Sequence, residues 1–177
     1  MKRSKFFRLT SFFLLFLLFV SGCGYTRKSA LPENIKTIFV ETVKNKMKLN
    51  DLYAYVPGLE MMITNAVVQR LNQDGNLRVV ADRSQADVIL NSTLIAFEQG
   101  GLRFSTLESV EEYRLFVVIS AKLVNARTKE VLWEEPNFSG DAEYYISNVR
   151  NTARQEAAER AVKRLARNLV DRIVEDW

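Results

Sequence analysis

Catalysis at neutral pH leans on histidine, thiol, converging carboxylates or phosphate-cradling glycines, and this chain is poor in all of them. It holds no histidine and one cysteine among 177 residues. Ser-His-Asp and Cys-His nucleophiles are therefore ruled out, as is every histidine metal site. Its 7 glycines form no phosphate-binding loop. Glu111-Glu112 and Glu134-Glu135 are carboxylate neighbours, and a glycosidase works with two carboxylates. Adjacent residues of a strand point to opposite faces, so neither pair converges on one bond and both read as solvated strand residues. The chain is not read as an enzyme, and no metal or dissociable cofactor is expected. Basic loop residues are left as ligand-binding candidates: Lys44, Lys46 and Lys48 in one stretch, and Arg103 near a hairpin tip. Exposed ammonium and guanidinium groups suit an anionic lipid headgroup. They equally suit plain solvation.

The single thiol has a different setting. Lys2, Arg3, Lys5 and Arg8 precede an apolar run from Phe12 to Val20, which ends in Ser21-Gly22-Cys23. About nine apolar residues fall well short of the roughly 20 that a membrane-spanning helix needs. A basic flank, a short apolar core and small residues after it describe a secretory signal. Val20-Ser21-Gly22-Cys23 resembles the lipobox of bacterial lipoproteins. By that pattern Cys23 takes a diacylglycerol as a thioether, and cleavage exposes its amine for an N-acyl chain. Two lipid signals suffice for stable anchoring, each buried methylene adding about 0.8 kcal/mol. Gly24 stands where an aspartate resembles an inner-membrane retention signal, so the expected destination is the outer membrane, periplasmic side. The chain thus divides into a removed signal (1–22), a lipidated anchor and polar tether (23–34) and one domain (35–177).

Cutting the leader changes the charge balance. The whole chain carries 25 basic and 21 acidic residues, a net charge of +4. Four of the basics and none of the acids lie in residues 1–22, which leaves 21 of each from Cys23 onward. A generally basic nucleic-acid binder is disfavoured. With the only cysteine acylated, no disulfide is available, and stability must come from packing a core that a domain of this size can hold.

The elements that would position these groups follow from periodicity. Ile35–Glu41 is short and β-branched, a strand; residues 42–56 have no period and read as a long loop. Pro57-Gly58 opens a helix whose stripe is Leu59, Met62, Ile63, Ala66, Val67 and Leu71,, with Pro57 suited to its first turn. It should stop near Asn72 and turn through Asp74-Gly75-Asn76. Leu77–Val80 is a short strand, and a longer one runs from Asp87 to Gln99. Ile89, Ile95 and Phe97 spoil its alternation. Gly100-Gly101 marks a turn, with residues 101–109 as a loop or flared hairpin tip. The clearest strand, residues 111–124, sets Tyr113, Leu115, Val117, Ile119, Ala121 and Leu123 on one face,. Residues 130–135 form another, which residues 136–145 extend or follow as an edge. A long helix closes the chain: Thr152 and Gln155 have capping-box spacing, and Ala158, Ala161, Val162, Leu165, Leu169 and Ile173 form its stripe. Glu156/Arg160 and Glu159/Lys163 are i, i+4 pairs. The order β-α-β-β-β-β-α predicts an α+β two-layer sandwich. Two amphipathic helices would cover one face of a four- to five-stranded, mainly antiparallel or mixed sheet.

Taken in order, "GCGY", "LPENIKTIFVE", "PGLEMMITNAVVQRL", "LRVVADRSQADVILNSTL", "YRLFVVISAKLVNARTKEVLWEE" and the closing helix resemble the LPS-assembly lipoproteins of the LptE family. The resemblance covers essentially the whole mature chain. It implies a protein held largely inside the lumen of a large outer-membrane β-barrel, the LptD component, which it helps to assemble. It also implies contact with lipopolysaccharide during transfer to the outer leaflet. On that analogy Arg103 and Lys129 become the lipopolysaccharide-contact candidates. Relatives often carry glycine where Lys129 stands, so the turn is expected to differ in type. The leader and strand order also suit another envelope lipoprotein, one that activates peptidoglycan synthases or serves a secretion or lipid-transport complex.

Overall fold

Strong β-formers between Ile35 and Glu41 build the first strand, as branching at Cβ requires. The computed structural model describes residues 34–47, 56–104, 110–145 and 153–175. In it β1 is Thr37–Val40, followed by a two-residue β2, Lys44–Asn45, inside the stretch expected to be loop. Helix α1 is Leu59–Asp74. Gly58 and Gly75 flank it in the left-handed conformation, both at φ 80, where a side chain would be strained. The Gly75 N–H donates to the Leu71 carbonyl at 3.0 Å, satisfying a terminal acceptor,. Pro57 lies ahead of the cap, not in the first turn.

Beyond α1 come β3 (Arg78–Val79), a 3-10 turn (Arg83–Gln85), β4 (Val88–Phe104), β5 (Val110–Asn125), β6 (Val131–Tyr145) and α2 (Ala153–Glu175). The strands form one mixed sheet in the order β3-β1-β4-β5-β6, with β2 also paired to β4. β1 runs parallel to β3 and β4, whereas β4, β5 and β6 form an antiparallel meander. The expected α+β two-layer arrangement, two helices against a mixed sheet, is what forms. Thr152 of the expected capping box lies outside the described residues.

The broken alternation of β4 has a local cause. Leu94 pairs with Ile119 but Ala96 with Val118, so Ile95 is an extra residue in the ladder. Such a bulge switches the parity of the strand. Leu90 and Leu94 before it, and Phe97 after it, therefore all face the core, at 0%, 0% and 2% exposure. Ile89 is buried from the other face, beside Ala86 and the turn at Ala126–Lys129. Gly100-Gly101, expected to turn the chain, lie inside β4 instead. A second register shift follows them, between Gly101 and Arg103, and glycine within a strand commonly marks such a site. Residues 131–145 do both things anticipated of them: they extend one strand, and that strand is the sheet edge. Pro136 is tolerated there because it sits at the irregularity between the Ala121 and Ile119 pairings,.

α2 fills the core. Ala157, Ala158, Ala161, Val162, Leu165, Ala166, Leu169, Val170, Ile173 and Val174 are all buried, and each large aliphatic side chain so buried contributes about 1.5–3 kcal/mol. Near its ends Arg154 lies over the Phe97 ring and Arg172 over the Trp133 ring, both at 5.7 Å,. Arg70 of α1 donates to Asp171 of α2 at 2.8 Å, tying the helices together. Arg160, expected to pair with Glu156, donates instead to the carbonyl of Glu143 on β6 at 2.8 Å. The tightest contact is at Gly140 of β6. A Cβ built there would lie 2.4 Å from the Ala161 carbonyl oxygen and 2.5 Å from the Leu165 nitrogen.

Two polar residues tie elements together, Thr64 joining α1 to the sheet and Asp87 joining β1 to the β5–β6 turn. Thr64 of α1, buried, donates its hydroxyl to the Glu60 carbonyl and accepts the Val43 N–H at 3.1 Å. Asp87 accepts the N–H groups of Lys36 and Thr37, each at 3.0 Å, and the Thr37 hydroxyl at 2.9 Å. Its backbone carbonyl takes the Ala126 N–H at 2.8 Å, and Arg127 lies 3.5 Å from its Oδ1. Burial acts to raise the Asp87 pKa, but these donors together with Arg127 outweigh it and hold the carboxyl below its ordinary range,.

Two outcomes follow. Gly140→Ala pushes a methyl group against helix backbone that has no flexible side chain to move aside, and should cost about 3 kcal/mol or more. Urea denaturation checks this, and an unchanged midpoint would show that α2 does not approach so closely. Because the Asp87 pKa is lowered on folding, its carboxylate stabilises the fold above the unfolded value near about 4, and that stabilisation fades as pH falls through the folded value. Asp87→Asn should thus lower the urea midpoint at pH 7, with the gap to the native chain closing as the pH falls through the lowered folded value,. A gap that is constant with pH would assign the loss to packing.

Candidate functional site

The helices cover one face of the sheet and leave the β4-β5-β6 meander open on the other. Across that open face the register sets charged residues in rows. Lys122 meets Glu134 at 3.0 Å. Farther along, Arg114 pairs with Glu143, lies 3.9 Å from Asp141, and titrates above its ordinary value through the Glu143 hydrogen bond. Arg164 of α2 reaches round the β6 edge to the same Asp141 at 2.9 Å.

The row nearest the tip is Arg103, Glu112 and Tyr145, one residue each from β4, β5 and β6. Arg103 Nε stands 3.6 Å from Glu112 Oε2, and the side chains are 62% and 5% exposed. The Tyr145 phenol is pushed up in pKa by its hydrogen bond to Glu112 and by that carboxylate's charge. Around this row Leu102, Phe104 and Tyr145 expose large apolar surface. On the helix-facing side Tyr113 and Tyr144 stack with centroids 5.6 Å apart, and burial raises the Tyr144 pKa. The tip therefore offers a cation within an apolar-aromatic rim, the combination an anionic amphiphile needs.

The other basic candidates lie elsewhere. Lys129 follows the turn at the far end of β5, and a strand running from Glu112 to Asn125 puts it roughly 40 Å from Arg103,. Its Nζ donates to the Ala126 carbonyl. Lys129 has φ 63, the only positive value at a non-glycine position among the described residues. This is the left-handed backbone that a glycine adopts freely, so the lysine keeps a glycine-type turn where a different type was expected. Asn125 supports it by accepting the N–H groups of Arg127 and Thr128,. Lys44 is exposed in β2, 3.7 Å from Glu41, and the Lys46 N–H donates to the Leu94 carbonyl at 2.9 Å. Lys48 and Cys23 lie outside the described residues. The structure thus separates the candidates into a tip, a mid-sheet edge and a far turn.

One carboxylate departs from expectation. Glu112, read as solvated, is 4% exposed, because the tip row closes over it from both neighbouring strands. Its neighbour Glu111 is exposed. Sequence reasoning overlooked Glu112 and Tyr145 as site residues. What brings them together is the pairing of Glu112 with Arg103 on one side and with Tyr145 on the other, which only the strand register reveals. Among the described residues no group of histidine, cysteine, aspartate or glutamate is arranged to hold a metal. No helix among them is long and apolar enough to cross a membrane.

The fold has known counterparts. A family model described as LptE, lipopolysaccharide-assembly, matches residues 35–176. A crystal structure of a Xanthomonas campestris protein superposes with a TM-score of 0.54 at 17% identity, over 81% of this chain and 86% of that one. A hypothetical protein from Chlamydia trachomatis gives 0.53 at 11% identity, over 78% and 95%. An uncharacterized lipoprotein B from Nitrosomonas europaea gives 0.50 at 14% identity, over 80% and 84%. At these identities the likeness is one of fold. Among curated proteins no sequence matches.

Proposed function

Because the chain belongs to the lipopolysaccharide-assembly LptE family, whose members are assembly lipoproteins and not enzymes, we propose that it plugs an outer-membrane β-barrel translocon of the LptD type. It would assist the passage and insertion of lipopolysaccharide into the outer leaflet. The family match across residues 35–176 carries this reading. Physical features support it. The open sheet face presents paired charges, Lys122 with Glu134 and Arg114 with Glu143; a barrel lumen is polar and would accept such a face. Arg160 occupies a carbonyl on the β6 edge, which blunts a strand that would otherwise invite further pairing. Arg103, largely exposed, would meet a lipid-borne phosphate. Lys129, held in its far turn, would touch a different part of the partner or ligand. Lys44, Lys46 and Lys48 are kept as weaker contacts of the same kind.

Anchoring at Cys23, with residues 1–22 removed, completes the proposal and holds the domain on the periplasmic side of the outer membrane or within the lumen. Affinity capture of the full-length chain from detergent-solubilised outer membrane should recover a large β-barrel protein at near-equal stoichiometry. Recovery of other envelope proteins without a barrel would sink this reading. Metabolic labelling with a radioactive fatty acid tests the anchor separately. Label should enter the native chain and disappear in Cys23→Ala, and label retained in that variant would place the lipid elsewhere.

A further inference from the structure

We propose that Glu112 is a positioning residue, a buried carboxylate that grips the Nε side of Arg103 and turns the rest of its guanidinium outward as a phosphate fork. The inference rests on the reading of Arg103 as a lipopolysaccharide contact and deepens it.

An arginine on a solvent-exposed tip ordinarily samples many rotamers, and ordering it on binding costs about 0.5–1.5 kcal/mol. Here the opposite partner is fixed. Glu112 is 4% exposed, set in the central strand of the meander, with Arg103 as its register partner on one side and Tyr145 on the other. The tyrosine hydroxyl holds the carboxylate by a hydrogen bond, so the anion meeting Arg103 has little freedom. The remaining nearby cation, Arg114, is drawn the other way by Glu143 and Asp141. Arg103 is thus the cation in direct contact with Glu112, while Arg114 acts on that carboxylate only at longer range.

The geometry of the pair favours presentation over sequestration. Contact is through Nε, at 3.6 Å. A guanidinium has five N–H donors in a planar fork, so the edge bearing the two terminal nitrogens stays open. The arginine side chain is 62% exposed although its partner is 5% exposed. A closed ion pair would hide both. The arrangement suits bidentate recognition of a phosphate monoester, in which two parallel N–H groups meet two oxygens, with Leu102, Phe104 and Tyr145 supplying apolar surface beside it.

The test measures binding of the full-length lipoprotein, purified in detergent, to lipopolysaccharide and to its enzymatically dephosphorylated form. Glu112→Gln should weaken binding of the phosphorylated form roughly fivefold, the size expected from freeing one rotamer-rich side chain, and leave the dephosphorylated form unchanged. Arg103→Ala should weaken it at least as much, and adding Glu112→Gln to that variant should change nothing further, since the glutamate acts only through the arginine. Tyr145→Phe, which retains the carboxylate, should show a smaller loss and guards against a folding defect in Glu112→Gln. Equal losses for both ligand forms, or losses that add in the double variant, would reduce Glu112 to a structural role. Tighter binding in Glu112→Gln would make it a competitor of the phosphate and overturn the proposal while leaving Arg103 as a contact. Unchanged binding in Arg103→Ala would remove the contact reading itself.

Discussion

Helix α2 and strand β6 touch backbone to backbone at Gly140, where there is no room for even one methyl group. Close approach of this kind needs small residues on both partners, and the helix supplies Ala157, Ala158 and Ala161 on its buried face. The larger side chains of α2, Val162, Leu165 and Leu169, are then buried in the common core. The same proximity lets Arg160 and Arg164 lean over the β6 edge to Glu143 and Asp141. Core filling and edge protection are thus two results of one steric condition. A wider spacing would leave a void beneath the helix and unpaired carbonyls along the strand, both of which are costly.

Polar groups are managed differently at the two ends of the sheet. At one end Asp87 gathers four donors onto its side chain and ties β1, β4 and the β5–β6 turn into a fixed corner. At the other end Glu112 has an exposed arginine and a tyrosine on the neighbouring strands. A carboxylate that is crowded with backbone donors serves architecture. One that holds an arginine at the surface would serve presentation. The difference would separate a structural acid from a ligand-presenting one.

Much of this arrangement is legible in residue order. The helix stripes, the alternation of β5 and the two-layer α+β class follow from periodicity alone, because each element is long enough for its period to show. What escaped depends on pairing. The Ile95 bulge is invisible until Leu94 and Ala96 are matched to Ile119 and Val118. β2 is too short to have a period, and exists only because β4 offers it an edge. Gly100-Gly101 reads as a turn by composition, yet β5 extends the ladder through both. Glu112 reads as solvated because burial of a charge is decided by its cross-strand neighbours. The Lys129 conformation went against expectation: a turn of another type was anticipated, and the lysine takes a left-handed backbone that only the structure reveals. For the site, composition pointed to Arg103, but its partners had to come from the register.

Chain order turns the placement of α2 into a question of timing. α2, which completes the core, is synthesised and exported after every strand of the sheet it covers. Until it arrives, the meander exposes Leu90, Leu94, Leu115, Val117 and Ile119 on the face that α2 will cover. Burial of that face waits for α2 to dock. Partial chains lacking the last turns would be sticky intermediates and not smaller stable domains. A protein built this way commits to its final shape only once α2 has docked.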